Sequence, residues 1–250
     1  MAPTIHIIPR QGKNMSSARS PTGQIRAMGV AVGLTISAVA ASFLVAVIVL
    51  MPIMVLGTEP FSVSVFALAL IAGQLGFLVI GIAYVRRYEL SVPITRPTAR
   101  EFLTAVGGSL LALVTAAVMI TLLLTFDILP EAAVGEVAEL DPRIFLVIAI
   151  LSILFVAPIE EFVFRGVIQG RLRRSLHPIS AIVVASLLFG AIHAPNYLGA
   201  PMEILGGVLL ISTVGLVFGS IYELTNNLTV PIIMHALYNV VLMMSAYAMV

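Results

Sequence analysis

Seven stretches of apolar residues place the strongest constraint on how this chain can fold. They cover residues 27–57, 61–85, 102–126, 144–170, 178–194, 204–222 and 228–250. A helix needs about 20 apolar residues to cross a hydrocarbon core about 30 Å thick, and most of these stretches have that length. Only 10% of the 250 residues are charged, whereas soluble domains carry about 25%. We therefore predict an all-α fold, a polytopic transmembrane helix bundle of about seven to eight spans.

The chain divides into a polar tail and one membrane domain. Residues 1–26 predict a disordered cytoplasmic tail, and residues 27–250 predict a single transmembrane domain. The first apolar stretch is too long for the h-region of a signal peptide, which has about 7–15 residues. Clusters of arginine and lysine alternate along the chain with clusters of acidic residues. By the positive-inside rule this pattern predicts a multi-pass protein of the cell membrane with a cytoplasmic N-terminus. The 13 basic residues lie in clusters next to apolar segments, and we expect no nucleic-acid partner.

Three ionisable residues interrupt the fourth apolar stretch, in the run from Glu160 to Arg165. A charged side chain at the centre of a bilayer costs about 2.5–3.5 kcal/mol by insertion scales. Ionisable residues inside a membrane therefore suggest a functional site by default. Glu161 and Arg165 are four residues apart and share a helix face, so we predict that they form an ion pair. Glu160 lies about 100° around the helix and faces a different neighbour.

This spacing predicts a division of labour between the two carboxylates. Repulsion between adjacent carboxylates and burial both disfavour the ionised form, whereas a nearby guanidinium stabilises it. We expect Glu161 to stay ionised in a structural pair with Arg165, and Glu160 to act as the acid or base. A purely structural role for the Glu161–Arg165 pair is equally compatible with the pattern.

Two later stretches also carry polar residues at helical spacing. Phe189 and His193 share one face of the fifth stretch, and His235 and Asn239 share one face of the seventh. Each residue alone has an ordinary structural interpretation, since polar side chains often hydrogen bond between membrane helices. Together with the glutamates, they predict one polar cluster near the middle of the bilayer.

Several kinds of protease site are excluded by the sequence. It contains no His-Glu-x-x-His zinc helix and no Gly-x-Ser-x-Gly nucleophile elbow. Its two aspartates, Asp127 and Asp141, fall in one predicted loop, and it has no cysteine. Chemistry based on glutamate, histidine and asparagine remains.

The three motifs together resemble those of the CPBP family, also called ABI. They are Glu160-Glu161-x-x-x-Arg165, Phe189-x-x-x-His193 and His235-x-x-x-Asn239, in that order on successive late helices. This family includes the type II CAAX prenyl endopeptidases, related to the Ras-converting enzyme, and bacterial bacteriocin-immunity proteins. The resemblance covers about residues 144–245. It implies eight helices, and the first apolar stretch, which contains Pro52, is where an additional helix could lie.

The resemblance implies an intramembrane endopeptidase, a metalloprotease by the label often given to the family. Glu160 would activate a water with help from His193, and His235 and Asn239 would stabilise the oxyanion. Glu161, Arg165 and Phe189 would hold the site in shape. Glu160, His193 and His235 are candidate ligands for a divalent metal such as zinc, and a metal-free glutamate mechanism fits the same residues. The implied partners are the lipid bilayer and a membrane-associated protein or peptide, prenylated at its C-terminus in the CAAX case.

Two other functions remain open from the sequence. Glu160 and His193 could form the proton relay of a proton- or ion-coupled transporter, since such residues serve membrane pumps. A non-catalytic membrane protein of the bacteriocin-immunity type could also retain the motif geometry.

Overall fold

A computed structural model of the protein describes residues 20–59 and 62–250, and these fold into an all-α bundle. Six helices in this part of the chain are long and apolar enough to cross a membrane. They are α1 (Pro21–Val55), α2 (Val63–Tyr88), α3 (Ala99–Thr125), α5 (Arg143–Arg173), α7 (Pro201–Thr225) and α8 (Thr229–Tyr247). Two shorter helices complete the set, α4 (Ala133–Leu140) and α6 (Pro178–Ala191). The prediction of a polytopic helix bundle is confirmed.

Helix α6 is too short to cross the membrane, which the sequence did not predict. It has 14 residues and rises about 21 Å at 1.5 Å per residue, less than the ~30 Å of a hydrocarbon core. A single 3₁₀ turn, Ala194–Asn196, follows it. Next comes strand β2 (Tyr197–Leu198), which pairs antiparallel with β1 (Glu131–Ala132). The chain therefore leaves the α-helix partway across the bundle, two residues before His193.

The first helix differs from its prediction at both ends. It begins at Pro21, so residues 21–26 are helical and the predicted disorder does not extend to them; residues 1–19 lie outside the described residues. Ser20 caps the helix by accepting a hydrogen bond from the Gly23 backbone N–H, and proline is well suited to the first helical position. The helix also continues through Pro52. The first apolar stretch is therefore one helix, and no additional helix lies there.

Helix α5 contains two π-helical segments, Ser152–Val156 and Phe162–Gln169, on either side of the glutamate pair. Pro158 lies between them and lacks the N–H that an α-helix would use at that position. The first π segment ends two residues before this proline. π segments occur frequently at functional sites because they change the direction in which side chains point.

Helix α5 lies in the interior of the bundle and packs against α2, α6 and α8. Helix α7 packs against α3 and α6, and α1 packs mainly against α2. The interior position of α5 explains how its charged side chains are screened from lipid.

Most basic residues of the described chain lie at one end of the bundle, namely Arg26, Arg86, Arg87, Arg96, Arg100, Arg171, Arg173 and Arg174. The α2–α3 and α7–α8 loops meet there, since the Leu228 N–H donates to the Pro93 carbonyl at 2.9 Å. The end of α5 lies next to these loops, because Arg173 Nε is 2.6 Å from Oε1 of Glu223, near the end of α7. We call this the basic end, and its cytoplasmic orientation stays a prediction. Arg143 lies elsewhere, and its hydrogen bonds hold the pKa of Asp141 below its usual value.

Close packing of α6 on α7 gives the first testable prediction. A Cβ on Gly190 would lie 2.5 Å from the Val208 carbonyl oxygen, a contact that only a backbone shift could relieve. We expect Gly190→Ala to lower the free energy of unfolding by about 1–3 kcal/mol, as overpacking typically does. Thermal unfolding of the detergent-purified protein measures this.

A matched control is available on α3. A Cβ on Gly107 would meet no atom within 4 Å, so Gly107→Ala should leave stability unchanged or raise it slightly. Equal destabilisation by the two substitutions would contradict the close contact between α6 and α7.

Candidate functional site

Glu160 lies in the interior of the bundle with its two carboxylate oxygens in different environments. Oε1 accepts a hydrogen bond of 2.9 Å from Gln74 Nε2 on α2. Oε2 is buried and receives no hydrogen bond from any described residue. The residue as a whole is only 6% exposed. One oxygen of the carboxylate is therefore held in place, and the other is left to interact with a further group.

His193 presents one ring nitrogen to that second oxygen. Its Nδ1 lies 2.7 Å from the Phe189 carbonyl oxygen, which can only accept, so Nδ1 carries the proton. In the neutral ring Nε2 is then an acceptor, and it lies 3.9 Å from Glu160 Oε2. This distance is too long for a direct hydrogen bond, but it allows one water to bond to both atoms at about 2.8 Å.

Helix lengths explain why these two residues meet. Glu160 precedes Arg173 by thirteen residues and so lies about 20 Å from the basic end of α5. Helix α6 starts at that same end and rises about 21 Å before it stops at Ala191. The short helix therefore brings His193 to the depth of Glu160.

Glu161 belongs to a second group, which is fully buried. Arg165 Nε lies 3.1 Å from Glu161 Oε2, as the spacing of four residues predicted. His235 Nδ1 lies 2.9 Å from Glu161 Oε1. The guanidinium also donates from Nη2 to the Gly215 carbonyl at 3.1 Å and lies over the Phe189 ring, 4.5 Å from its centroid. A carboxylate that orients the ring of a histidine in this way fixes its tautomer.

Phe189 lies between the two histidines. Its ring centroid is 4.7 Å from that of His193 and 5.8 Å from that of His235, with edge-to-face geometry in both contacts. The predicted residues Glu160, Glu161, Arg165, Phe189, His193 and His235 thus form one continuous cluster.

Asn239 faces α5 as His235 does, but it contacts a different part of that helix. Its Nδ2 donates to Ser152 Oγ at 3.2 Å. Ser152 precedes Glu160 by about two helical turns, and Asn239 has no other hydrogen bond to the described residues. The structure therefore does not join Asn239 to Glu160 and His193 by a direct contact.

The three predicted metal ligands are not grouped around one point in the described chain. Catalytic zinc takes three protein ligands and leaves a fourth position open. Among residues 20–59 and 62–250, no three His, Cys, Asp or Glu side chains are grouped to hold a metal. Of the three predicted candidates, Glu160 and His193 face each other, and His235 bonds to Glu161 through Nδ1, which leaves its Nε2 without a hydrogen-bond partner among the described residues.

Sequence reasoning missed two residues of the site, Gln74 and Ser152. Gln74 is the one amide side chain in the apolar stretch 61–85, and that isolation was a signal that could have identified it. Ser152 offered no comparable signal, since serine is common in membrane helices and often bonds to its own helix backbone.

The fold and the site define a polytopic membrane protein with a buried cluster of two glutamates, an arginine and two histidines. Residues 142–241 match the family model described as "Type II CAAX prenyl endopeptidase Rce1-like". The match confirms the resemblance carried by the three motifs, and we call residues 142–241, which are similar to that family, the Rce1-like segment. No significant match was found among curated proteins or among solved structures. The Rce1-like segment contains every site residue predicted from the sequence, and Gln74 lies outside it.

Proposed function

We propose that the protein is an intramembrane endopeptidase in which Glu160 activates a water for attack on a peptide carbonyl. One observation carries this proposal. The buried oxygen Glu160 Oε2 receives no hydrogen bond from a described residue. It lies 3.9 Å from His193 Nε2, and the other ring nitrogen of His193 is hydrogen bonded to the Phe189 carbonyl oxygen. Both atoms can accept a proton from one water, which is the geometry that general-base catalysis requires.

The proton transfers balance in two steps. In the first, the water oxygen bonds to the carbonyl carbon, its proton passes to Glu160 Oε2, and the carbonyl oxygen takes the negative charge. In the second, the C–N bond breaks and the proton on Glu160 moves to the leaving amine nitrogen. The products are a carboxylic acid and an amine, and His193 Nε2 accepts a hydrogen bond from the water throughout its activation.

His235 is the proposed donor to the oxyanion. Its Nδ1 proton points to Glu161, so a donor at Nε2 exists only when the ring is charged. Donors of this kind are worth about 10²–10³ in rate in a water-excluded site. Asn239 would donate to the oxyanion only after its hydrogen bond to Ser152 breaks, and a bound substrate would replace that bond.

The proposed substrate is a membrane-associated protein or peptide that carries a prenylated cysteine near its C-terminus. The Rce1-like match supports this substrate class, and the depth of Glu160 and His193 suits a peptide held close to the membrane by a lipid chain. Hydrolysis after the modified cysteine would release the C-terminal tripeptide.

Reconstituted protein and a fluorogenic reporter peptide test this function. We expect the wild-type protein to release the tripeptide from the farnesylated reporter and to act much more slowly on the same peptide without its lipid. Activity should persist in a chelator if the mechanism is metal-free. Loss of activity in chelator that is restored by zinc would show that a metal is required, and failure to cleave either peptide would contradict the substrate class.

Gln74 offers a prediction specific to this mechanism. Its hydrogen bond orients the Glu160 carboxylate, and a hydrogen bond to a charged group contributes about 1.5–3 kcal/mol. We expect Gln74→Leu to lower kcat by at least about tenfold while KM changes little. Steady-state kinetics with the farnesylated reporter measure both constants.

Gln169 supplies the matched control for this experiment. It is another buried amide, which donates to the Gly219 carbonyl at 3.1 Å. Gln169→Leu should lower thermal stability with little effect on kcat of the folded protein. If the two substitutions lower kcat equally, Gln74 contributes to folding and has no positioning role.

A further inference from the structure

A cavity of about 770 Å³ opens at the basic end of the bundle, away from the cluster around Glu160. It lies between the start of α1, the end of α2 and the end of α5. Three arginines line it, Arg26 from α1 and Arg171 and Arg174 from α5. No acidic side chain is among the described residues that line it. Arginines from two helices distant in sequence thus face one space.

None of these three arginines has a carboxylate partner among the described residues. Arg173, in the same turn of α5, forms an ion pair of 2.6 Å with Glu223 and lies outside the cavity. By contrast, no carboxylate lies within 4.0 Å of Arg26, Arg171 or Arg174 in the described chain. Like charges placed together without a counter-ion repel, so the cavity favours an anionic occupant.

The remaining lining suits a phosphate attached to a lipid. The hydroxyl groups of Thr22 and Ser175 can donate to phosphate oxygens, and Arg171 Nη1 already donates to Ser175 Oγ at 3.3 Å. The ring of Tyr84, about one turn in from the end of α2, and the side chain of Val30, about two and a half turns in from the start of α1, supply an apolar wall. Tyr84, Arg171 and Arg174 all line the same space. The cavity therefore combines a cationic polar part with an apolar part.

We propose that this cavity binds the phosphate headgroup of an anionic phospholipid. Its position at the ends of three helices is where headgroups lie, and basic pockets between membrane helices are typical headgroup sites. Guanidinium groups form paired hydrogen bonds to phosphate, which favours arginine for this task. A bound headgroup would hold α1 and α2, which lie outside the Rce1-like segment, against the end of α5.

The test compares lipid binding by the full chain and by two triple variants. Arg26→Gln, Arg171→Gln and Arg174→Gln together remove the charges of the cavity. Arg86→Gln, Arg96→Gln and Arg100→Gln remove the same charge from the basic end outside it. Each protein is placed in nanodiscs of phosphatidylcholine with or without phosphatidylglycerol, and bound lipid is counted by native mass spectrometry. The protein in detergent is also titrated with inorganic phosphate.

We expect phosphatidylglycerol to bind the wild-type protein and the outer triple variant with similar affinity. The cavity variant should bind about 100-fold more weakly, since each arginine near a headgroup contributes roughly fivefold. The single substitution Arg174→Gln, at an exposed position, should weaken binding about fivefold without affecting the fold.

Three results would overturn the proposal. Equal weakening in both triple variants would mean that the attraction comes from the general charge of the basic end. Unchanged binding in the single variant and in a folded cavity variant would show that the cavity does not hold lipid. Tight binding of inorganic phosphate in detergent, with no preference for phosphatidylglycerol in nanodiscs, would identify a soluble phosphate as the ligand.

Discussion

Glu160→Gln is expected to reduce cleavage of the farnesylated reporter by about 10²–10⁴-fold, the usual contribution of a general base. The substituted amide oxygen can still accept the hydrogen bond from Gln74, so the fold should be retained. Because Oε2 has no hydrogen-bond donor among the described residues, little stabilising interaction is lost. Single-turnover cleavage and thermal unfolding of the same preparation separate the two effects.

Glu139→Gln is a suitable control for this experiment, because Glu139 is exposed on α4 and is not part of the site. It should cleave the reporter at the wild-type rate. Wild-type cleavage by a Glu160→Gln preparation of verified purity would remove Glu160 from the mechanism and leave a non-catalytic role for the cluster.

Glu161→Ala is expected to affect folding most strongly, lowering the free energy of unfolding by about 3–5 kcal/mol. The substitution leaves the Arg165 guanidinium buried without its carboxylate and removes the partner of His235 Nδ1. Denaturant titration of the purified protein in mild detergent measures the loss. Glu223→Ala is the matched control, since its pair with Arg173 is partly exposed and contributes about 0–1 kcal/mol.

A double variant identifies the cause of this loss. Replacing both partners, Glu161→Leu with Arg165→Met, removes the unpaired charge and should recover a large part of the stability, as in other buried pairs. A double variant as unstable as Glu161→Ala would indicate that the hydrogen bonds to His235 and Gly215, and not the ion pair, hold this part of the bundle together.

Local spacing within α5 was sufficient to predict that Glu160 and Glu161 face different partners. Residues four apart on a helix share a face, which gives the pair of Glu161 with Arg165, and a neighbour about 100° away must face another helix. Both statements follow from the helix itself and hold even though π turns flank the pair.

Contacts between helices could not be predicted in the same way. The bond between Gln74 and Glu160 joins residues 86 positions apart, and spacing within one helix does not specify which helix packs against it. For the same reason the sequence placed Asn239 on the correct face but did not identify Ser152 as its partner. The early end of α6 was missed because its apolar composition continues to Ala194 while the helix stops at Ala191.

The hydrogen bond from Gln74 also limits how far this site can be transplanted. A chimeric protein that joined residues 142–241 to the N-terminal helices of an unrelated membrane protein would keep both carboxylates, the arginine and both histidines. It would lack the donor that fixes Glu160 Oε1. In such a chimera the Glu160 carboxylate would be free to rotate. To restore its orientation, the second helix would need an amide side chain at the depth of Gln74. The N-terminal half of the chain therefore contributes a residue to the site in addition to its membrane helices.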